Sequence, residues 1–138
     1  MARLEEIVGY LDTTLEVATS RDYCPNGLQV EGRGEVARVV LGVSASLALL
    51  EAAAARGADL IVVHHGLVWG AGLERVTGAV ARRLGLLLSR GISLAAYHLP
   101  LDKHVTLGNN AGLADALGLP AQRRDFGEVR GQALGLLA

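Results

Sequence analysis

The chain has 138 residues, enough for one ordinary domain and too few for two. Hydrophobic residues make up 51% and charged residues 20%, which excludes a disordered chain; a net charge of −1, with no basic run longer than Arg82-Arg83 or Arg123-Arg124, excludes the footprint of a nucleic-acid partner. Cys24 alone excludes an internal disulfide framework, and with no signal-peptide pattern and no bilayer-length apolar run the expectation is a cytoplasmic protein without a membrane partner.

Leu4, Ile7, Val8, Leu11 and Leu15 recur at helical spacing, so residues 3–17 are predicted to form an amphipathic helix. Residues 21–34, rich in Asp, Pro, Asn and Gly, read as a loop centred on the turn Cys24-Pro25-Asn26-Gly27. Residues 36–44 are β-branched and apolar, a buried strand. Ser46 can cap a helix running through Ala55, which Gly57 ends. The apolar run 59–63 is a second strand, stopping at His64-His65, and a glycine-bracketed loop with the only tryptophan, Trp69, follows it. The stripe Val76, Val80, Leu84 and Leu87 predicts a helix over 73–90 with Gly91 as its C-cap. A third strand, 92–97, leads into a loop fixed by Pro100. Asn109 or Asn110 then begins a short helix through Leu117, stopped by Gly118 and Pro120. Residues 129–138 read as a strand with an unpaired apolar edge, which another chain is expected to cover. Strands alternating with helices give the fold class: α/β, a layered sandwich of consecutive βαβ units with a mostly parallel sheet, formed by 1–138 as a single domain.

Two polar clusters follow apolar runs in the same way: His64-His65 after 59–63, and Tyr97-His98-Leu99-Pro100-Leu101-Asp102-Lys103-His104 after 92–96. If both runs are neighbouring parallel strands, the clusters share the C-terminal sheet edge, where open α/β sheets bind ligands. Imidazoles and a carboxylate there suit a divalent ion: zinc, iron, manganese, nickel or cobalt. Adjacent strand residues face opposite ways, so His64 and His65 can share an ion only if the strand has ended, as Gly66 implies. Two ions ~3.5–4 Å apart could take one imidazole each and activate water for hydrolysis. Asp102 can ligate, bridge ions or close an Asx turn. His98 and His104 can ligate, hydrogen-bond a ligand, or serve as catalytic acid–base groups. The amides at Gly108-Asn109-Asn110 could take a phosphate or a carboxylate, and Trp69 could stack on a planar substrate. Cys24 reads as an inert thiol.

Asn26-Gly27-Leu28-Gln29-Val30, His64-His65-Gly66-Leu67-Val68-Trp69, Tyr97-His98-Leu99-Pro100-Leu101-Asp102 and Gly108-Asn109-Asn110 together resemble, in order and spacing, the NIF-three-like dinuclear-metal family. Its members are often named type 2 GTP cyclohydrolase I. The resemblance implies His64, His65 and Asp102 as metal ligands and two divalent ions. It implies hydrolysis of a purine nucleotide or similar small phosphorylated substrate, with His98 or His104 relaying protons, and a homohexameric ring. Family members usually continue through a second half that adds a His and a bridging Glu from a His-x-x-x-Glu segment. Here His104 is followed by Gly108 at that spacing, so the chain reads as the N-terminal half, with the C-terminal half absent. A short form of this kind is expected to be a dimer, its missing ligands coming from a partner. The competing expectation is a non-catalytic metal-binding scaffold or regulatory module.

Overall fold

The structure, a computed structural model, describes residues 1–138. A two-residue strand β1 (Ala2–Arg3) runs into helix α1 (Leu4–Thr14). The Glu6 carboxylate caps this helix by accepting from the Arg3 N–H at 3.1 Å. The helix is shorter than the predicted 3–17 because Glu16 turns left-handed, φ 54°, and only a 3-10 turn, Val17–Thr19, follows. Then come β2 (Gly27–Val30), β3 (Glu35–Val36), β4 (Val39–Ser44), α2 (Leu47–Ala55), β5 (Leu60–His65), α3 (Gly78–Arg90) and β6 (Ser93–Ala96). The chain closes with α4 (Leu99–Lys103), α5 (Asn109–Ala116) and the hairpin β7 (Arg124–Val129) and β8 (Gln132–Leu137).

The fold is mixed α/β. The main sheet has the order β2-β6-β5-β4; β4, β5 and β6 run parallel and β2 is antiparallel to β6. Side-chain alternation along a strand sends each face to a different core. On β5, Ile61 and Val63 pack with Leu50 and Ala53 of α2 and Leu87 of α3, while Leu60 and Val62 pack with Leu4 and Leu11 of α1. On β6, Leu94 joins the first cluster and Ala95 the second, with Tyr97 just beyond. Burial on both faces is why these runs are continuously apolar. Each fully buried Leu or Ile among them contributes about 1.5–3 kcal/mol. No helix is long and apolar enough to cross a membrane.

Several sequence expectations give way to tertiary context. The predicted loop 21–34 contains β2, which forms because Leu28 and Val30 find a place beside β6. The predicted buried strand 36–44 starts only at Val39, because the Asp59 carboxylate accepts from the Ala37 and Arg38 N–H groups, both at 2.9 Å, and turns the chain there. Nor is it buried: β4 is an edge strand paired only with β5, and its Leu41 and Val43 are exposed. Helix α3 starts at Gly78 rather than 73, after a segment in which Gly70, Gly72 and Gly78 all take positive φ. Pro100 does not enforce a loop: it lies in the first turn of α4, where its missing N–H costs no helical bond. Residues 129–138 do not present a lone strand either. β8 pairs along its length with β7 through a turn in which Arg130 and Gly131 both have positive φ, so the chain itself covers one edge of that strand.

Asp59 gives a pH prediction. Hydrogen bonds from the Ala37 and Arg38 amides hold its carboxyl below the ordinary value of 3.8. A depressed carboxyl stabilises the fold fully above its unfolded pKa, and the contribution fades as pH falls through the lower folded value. Asp59→Ala is therefore expected to lower the melting temperature at pH 7, with the gap to the unsubstituted chain closing as pH falls below 3.8 and through the lower folded value. A gap that widened on acidification would contradict this.

Candidate metal centre

β5 carries the site. Its ladder with β6 ends at Val63–Ala96, whereas the pairing with β4 continues to Ser44–His65. The strand thus runs through both histidines instead of ending before them. Their rings still meet, with centroids 4.5 Å apart, because both reach past the point where β6 has stopped. The sequence condition that the strand must end first is too strict for side chains as long as imidazole.

The third ring is His98, one residue beyond Tyr97. Its centroid is 5.0 Å from that of His64 and 5.7 Å from that of His65. One ring nitrogen from each of His64, His65 and His98 lies within 4.8 Å of the others, a group that could hold a metal ion. In all three rings Nδ1 is engaged elsewhere. His64 Nδ1 meets the Tyr97 carbonyl at 2.9 Å, His65 Nδ1 meets Ser44 Oγ at 2.9 Å, and His98 Nδ1 meets both Asp22 oxygens at 3.2 Å. A carbonyl and a carboxylate only accept, so His64 and His98 carry their protons on Nδ1 and leave Nε2 with a free lone pair. Outer contacts of this kind fix the tautomer and ring orientation of metal-binding histidines.

Asp102 stands at the rim, its Oδ1 3.6 Å from His64 Nε2 and accepting from Asn109 Nδ2 at 2.8 Å. The structure therefore places Asp102 beside His64, while the group that could hold an ion is His64, His65 and His98, with His98 in the place the sequence reading gave to Asp102. His104 is not brought in. Its Nδ1 accepts from the Thr106 and Leu107 N–H groups, and its ring lines a separate cavity with Glu16, Lys103 and Asp125. Trp69 flanks the cluster, its ring 5.1 Å from His98 and 6.3 Å from His65, and Tyr23 lies 5.5 Å from His98. On the opposite flank His64 and Asn109 border an apolar cavity of about 390 Å³ formed by residues including Leu11, Leu41, Val43 and Leu101.

Electrostatics favour a neutral His65 ring. Burial lowers the His65 pKa, the neighbouring His64 and His98 lower it further, and Asp102 opposes them. Burial pushes the Cys24 thiol up, and the nearby Asp22 charge adds to that, so Cys24 is an inert thiol as expected.

Two supporting residues escaped the sequence reading. Asp22 was one polar residue among many in a loop; its side chain is 2% exposed and accepts from the Cys24 and Leu99 N–H groups. Gln29 holds the loop after β5 in place. Its Oε1 accepts from the Leu67 and Val68 N–H groups at 2.8 and 3.0 Å, and its Nε2 donates to the Pro25 carbonyl at 2.9 Å. Gly66 leaves that amide its room, since a β-carbon there would collide with it. The available signal was an amide in an otherwise apolar β2 segment, Leu28-Gln29-Val30, too short to place.

The chain is 47% identical over 128 residues to the GTP cyclohydrolase 1 type 2 homolog of Neisseria meningitidis serogroup B, a match spanning 93% of this chain and 51% of that protein. It is 46% identical over 135 residues to the homolog of the same name from Archaeoglobus fulgidus, spanning 98% of this chain and 54% of the other. A solved structure described as protein ybgI, of unknown function, superposes with a TM-score of 0.83 at 42% identity, over 94% of this chain and 51% of that one. The chain spans about half the length of the curated relatives it matches. The family described as Duf34/NIF3 (NGG1p interacting factor 3) matches residues 2–135, and the chain belongs to that family.

Proposed function

We propose that His64, His65 and His98, with Asp102 at the rim, hold a divalent ion, and that the chain contributes one part of a dinuclear, metal-dependent hydrolase. Its substrate on this reading is a purine nucleotide or a similar small phosphorylated molecule. The observation that carries the metal reading is the grouping of three imidazoles whose Nδ1 atoms are all engaged elsewhere, in His64 and His98 by acceptors that leave Nε2 for ligation. When bound, such an ion supplies Lewis acidity and makes water a nucleophile at neutral pH. Zinc, iron, manganese, nickel and cobalt all suit three imidazoles and a carboxylate.

These four side chains satisfy one ion and fall short of two. We assign the remaining ligands to a second copy of the chain or to the portion of the relatives that this chain does not span. A second copy implies a closed homo-oligomer, a hexamer on the family pattern or a dimer for a chain of this length. His98 serves as a ligand on this reading rather than as the proton relay, and His104 takes no part in the centre.

A second reading, a non-catalytic metal-binding module, draws support from the cavity beside His64. No Lys or Arg lines it, so a phosphate entering there would find no countercharge. The deciding experiment incubates the protein with GTP and with manganese or zinc, and separates products by chromatography. The hydrolase reading predicts conversion that chelation abolishes and that His65→Ala removes. Stoichiometric metal without turnover of GTP, GMP or other small phosphate esters would favour the module.

A further inference from the structure

We infer that Asp22 is a positioning residue for the metal centre: through His98 Nδ1 its carboxylate aims the His98 Nε2 lone pair at the ion, an inference that rests on the reading of His98 as a ligand. Asp22 lies 76 residues from His98 in the chain, yet its side chain is almost wholly buried against it. Its other contacts are Cys24 N at 2.9 Å, Asn26 Nδ2 at 3.0 Å and Leu99 N at 2.9 Å. None of them is a cation. Besides these amide donors Asp22 faces one ring, that of His98, with both carboxylate oxygens at 3.2 Å.

The same turn also grips the His98 backbone. Asn26 Oδ1 accepts from the His98 N–H at 2.7 Å, so residues 22–26 hold both the main chain and the ring of one histidine. Capping the first turn of α4 would need only the single bond from Leu99 N to Asp22 Oδ2, and it would not need both carboxylate oxygens at 3.2 Å from the ring. An acceptor-only partner keeps the proton on Nδ1 and leaves the Nε2 lone pair free to face an ion.

The test is a double-mutant cycle read through metal affinity. Trp69, the only tryptophan, lies close enough to His98 and His65 for bound Co(II) to quench its emission. Asp22→Asn is expected to weaken Co(II) binding about 10–100-fold in the otherwise unchanged chain. In a His98→Ala background the same substitution should change it by less than about twofold. Equal losses in both backgrounds, or no loss in the first, would overturn the inference. Absence of Co(II) binding by the unsubstituted chain would defeat the ligand reading itself, whereas weakening by His98→Ala with Asp22→Asn silent defeats only the role given to Asp22. Should Asp22→Asn fail to fold, long-range proton–nitrogen spectra of the unsubstituted, metal-free chain decide. A His98 ring protonated on Nδ1 upholds the inference, and one protonated on Nε2 overturns it.

Discussion

With alanine in place of Gly108 the protein is expected to lose roughly 3 kcal/mol and to melt about 10 °C lower. A β-carbon there would collide with the His104 carbonyl oxygen and lie 2.8 Å from the Leu101 carbonyl oxygen and 2.9 Å from the His104 nitrogen. All three are backbone atoms, so no change of rotamer relieves them. The segment between α4 and α5 must open, carrying Asn109 away from Asp102, which it holds at 2.8 Å. Gly112, one turn further along in α5, supplies the contrast. Nothing lies within 4 Å of its added β-carbon, and Gly112→Ala should stabilise by about 0.5–1 kcal/mol. Thermal melts followed by circular dichroism check both, and equal melting of the two variants would contradict the packing described for Gly108.

The largest functional effect belongs to the imidazoles. His64→Ala, His65→Ala and His98→Ala are each expected to weaken divalent-ion binding by more than about 100-fold, since each removes a direct ligand rather than an outer contact. His104→Ala should leave affinity unchanged, because that ring is tied to the Thr106 and Leu107 amides outside the cluster. Asp102→Ala is expected to fall between these limits, its carboxylate being at the rim. Competition against a chromophoric chelator gives the constants. A His98→Ala variant that bound as tightly as the unsubstituted chain would return His98 to the role of proton relay.

The two central strands were readable from sequence because they are buried on both faces. Residues 60–63 and 94–96 are apolar without interruption, and nothing local competes with that pattern. Their parallel pairing puts the two polar clusters at one sheet end, where His64, His65 and His98 group and Asp102 lies 3.6 Å from His64. What was not legible came from distant contacts. β2 takes its shape from β6, and residues 37–38 are turned by a carboxylate on the far side of α2. Helix α4 tolerates Pro100 because proline falls in the first turn, a position no propensity scale assigns. Asp22 was hidden for the same reason: its partner lies on another strand end, and only the folded chain shows that the loop is there to hold a ring.

The central claim is that three imidazoles meet at one ion. X-ray absorption spectroscopy at the zinc or cobalt edge of the loaded protein counts imidazoles directly, through the outer-ring scattering each one adds. The account predicts a nitrogen shell at ~2.0–2.1 Å with the outer-ring pattern of three imidazoles, falling to two in His98→Ala. An oxygen-only shell, or a spectrum that His64→Ala, His65→Ala and His98→Ala all leave unchanged, would contradict it.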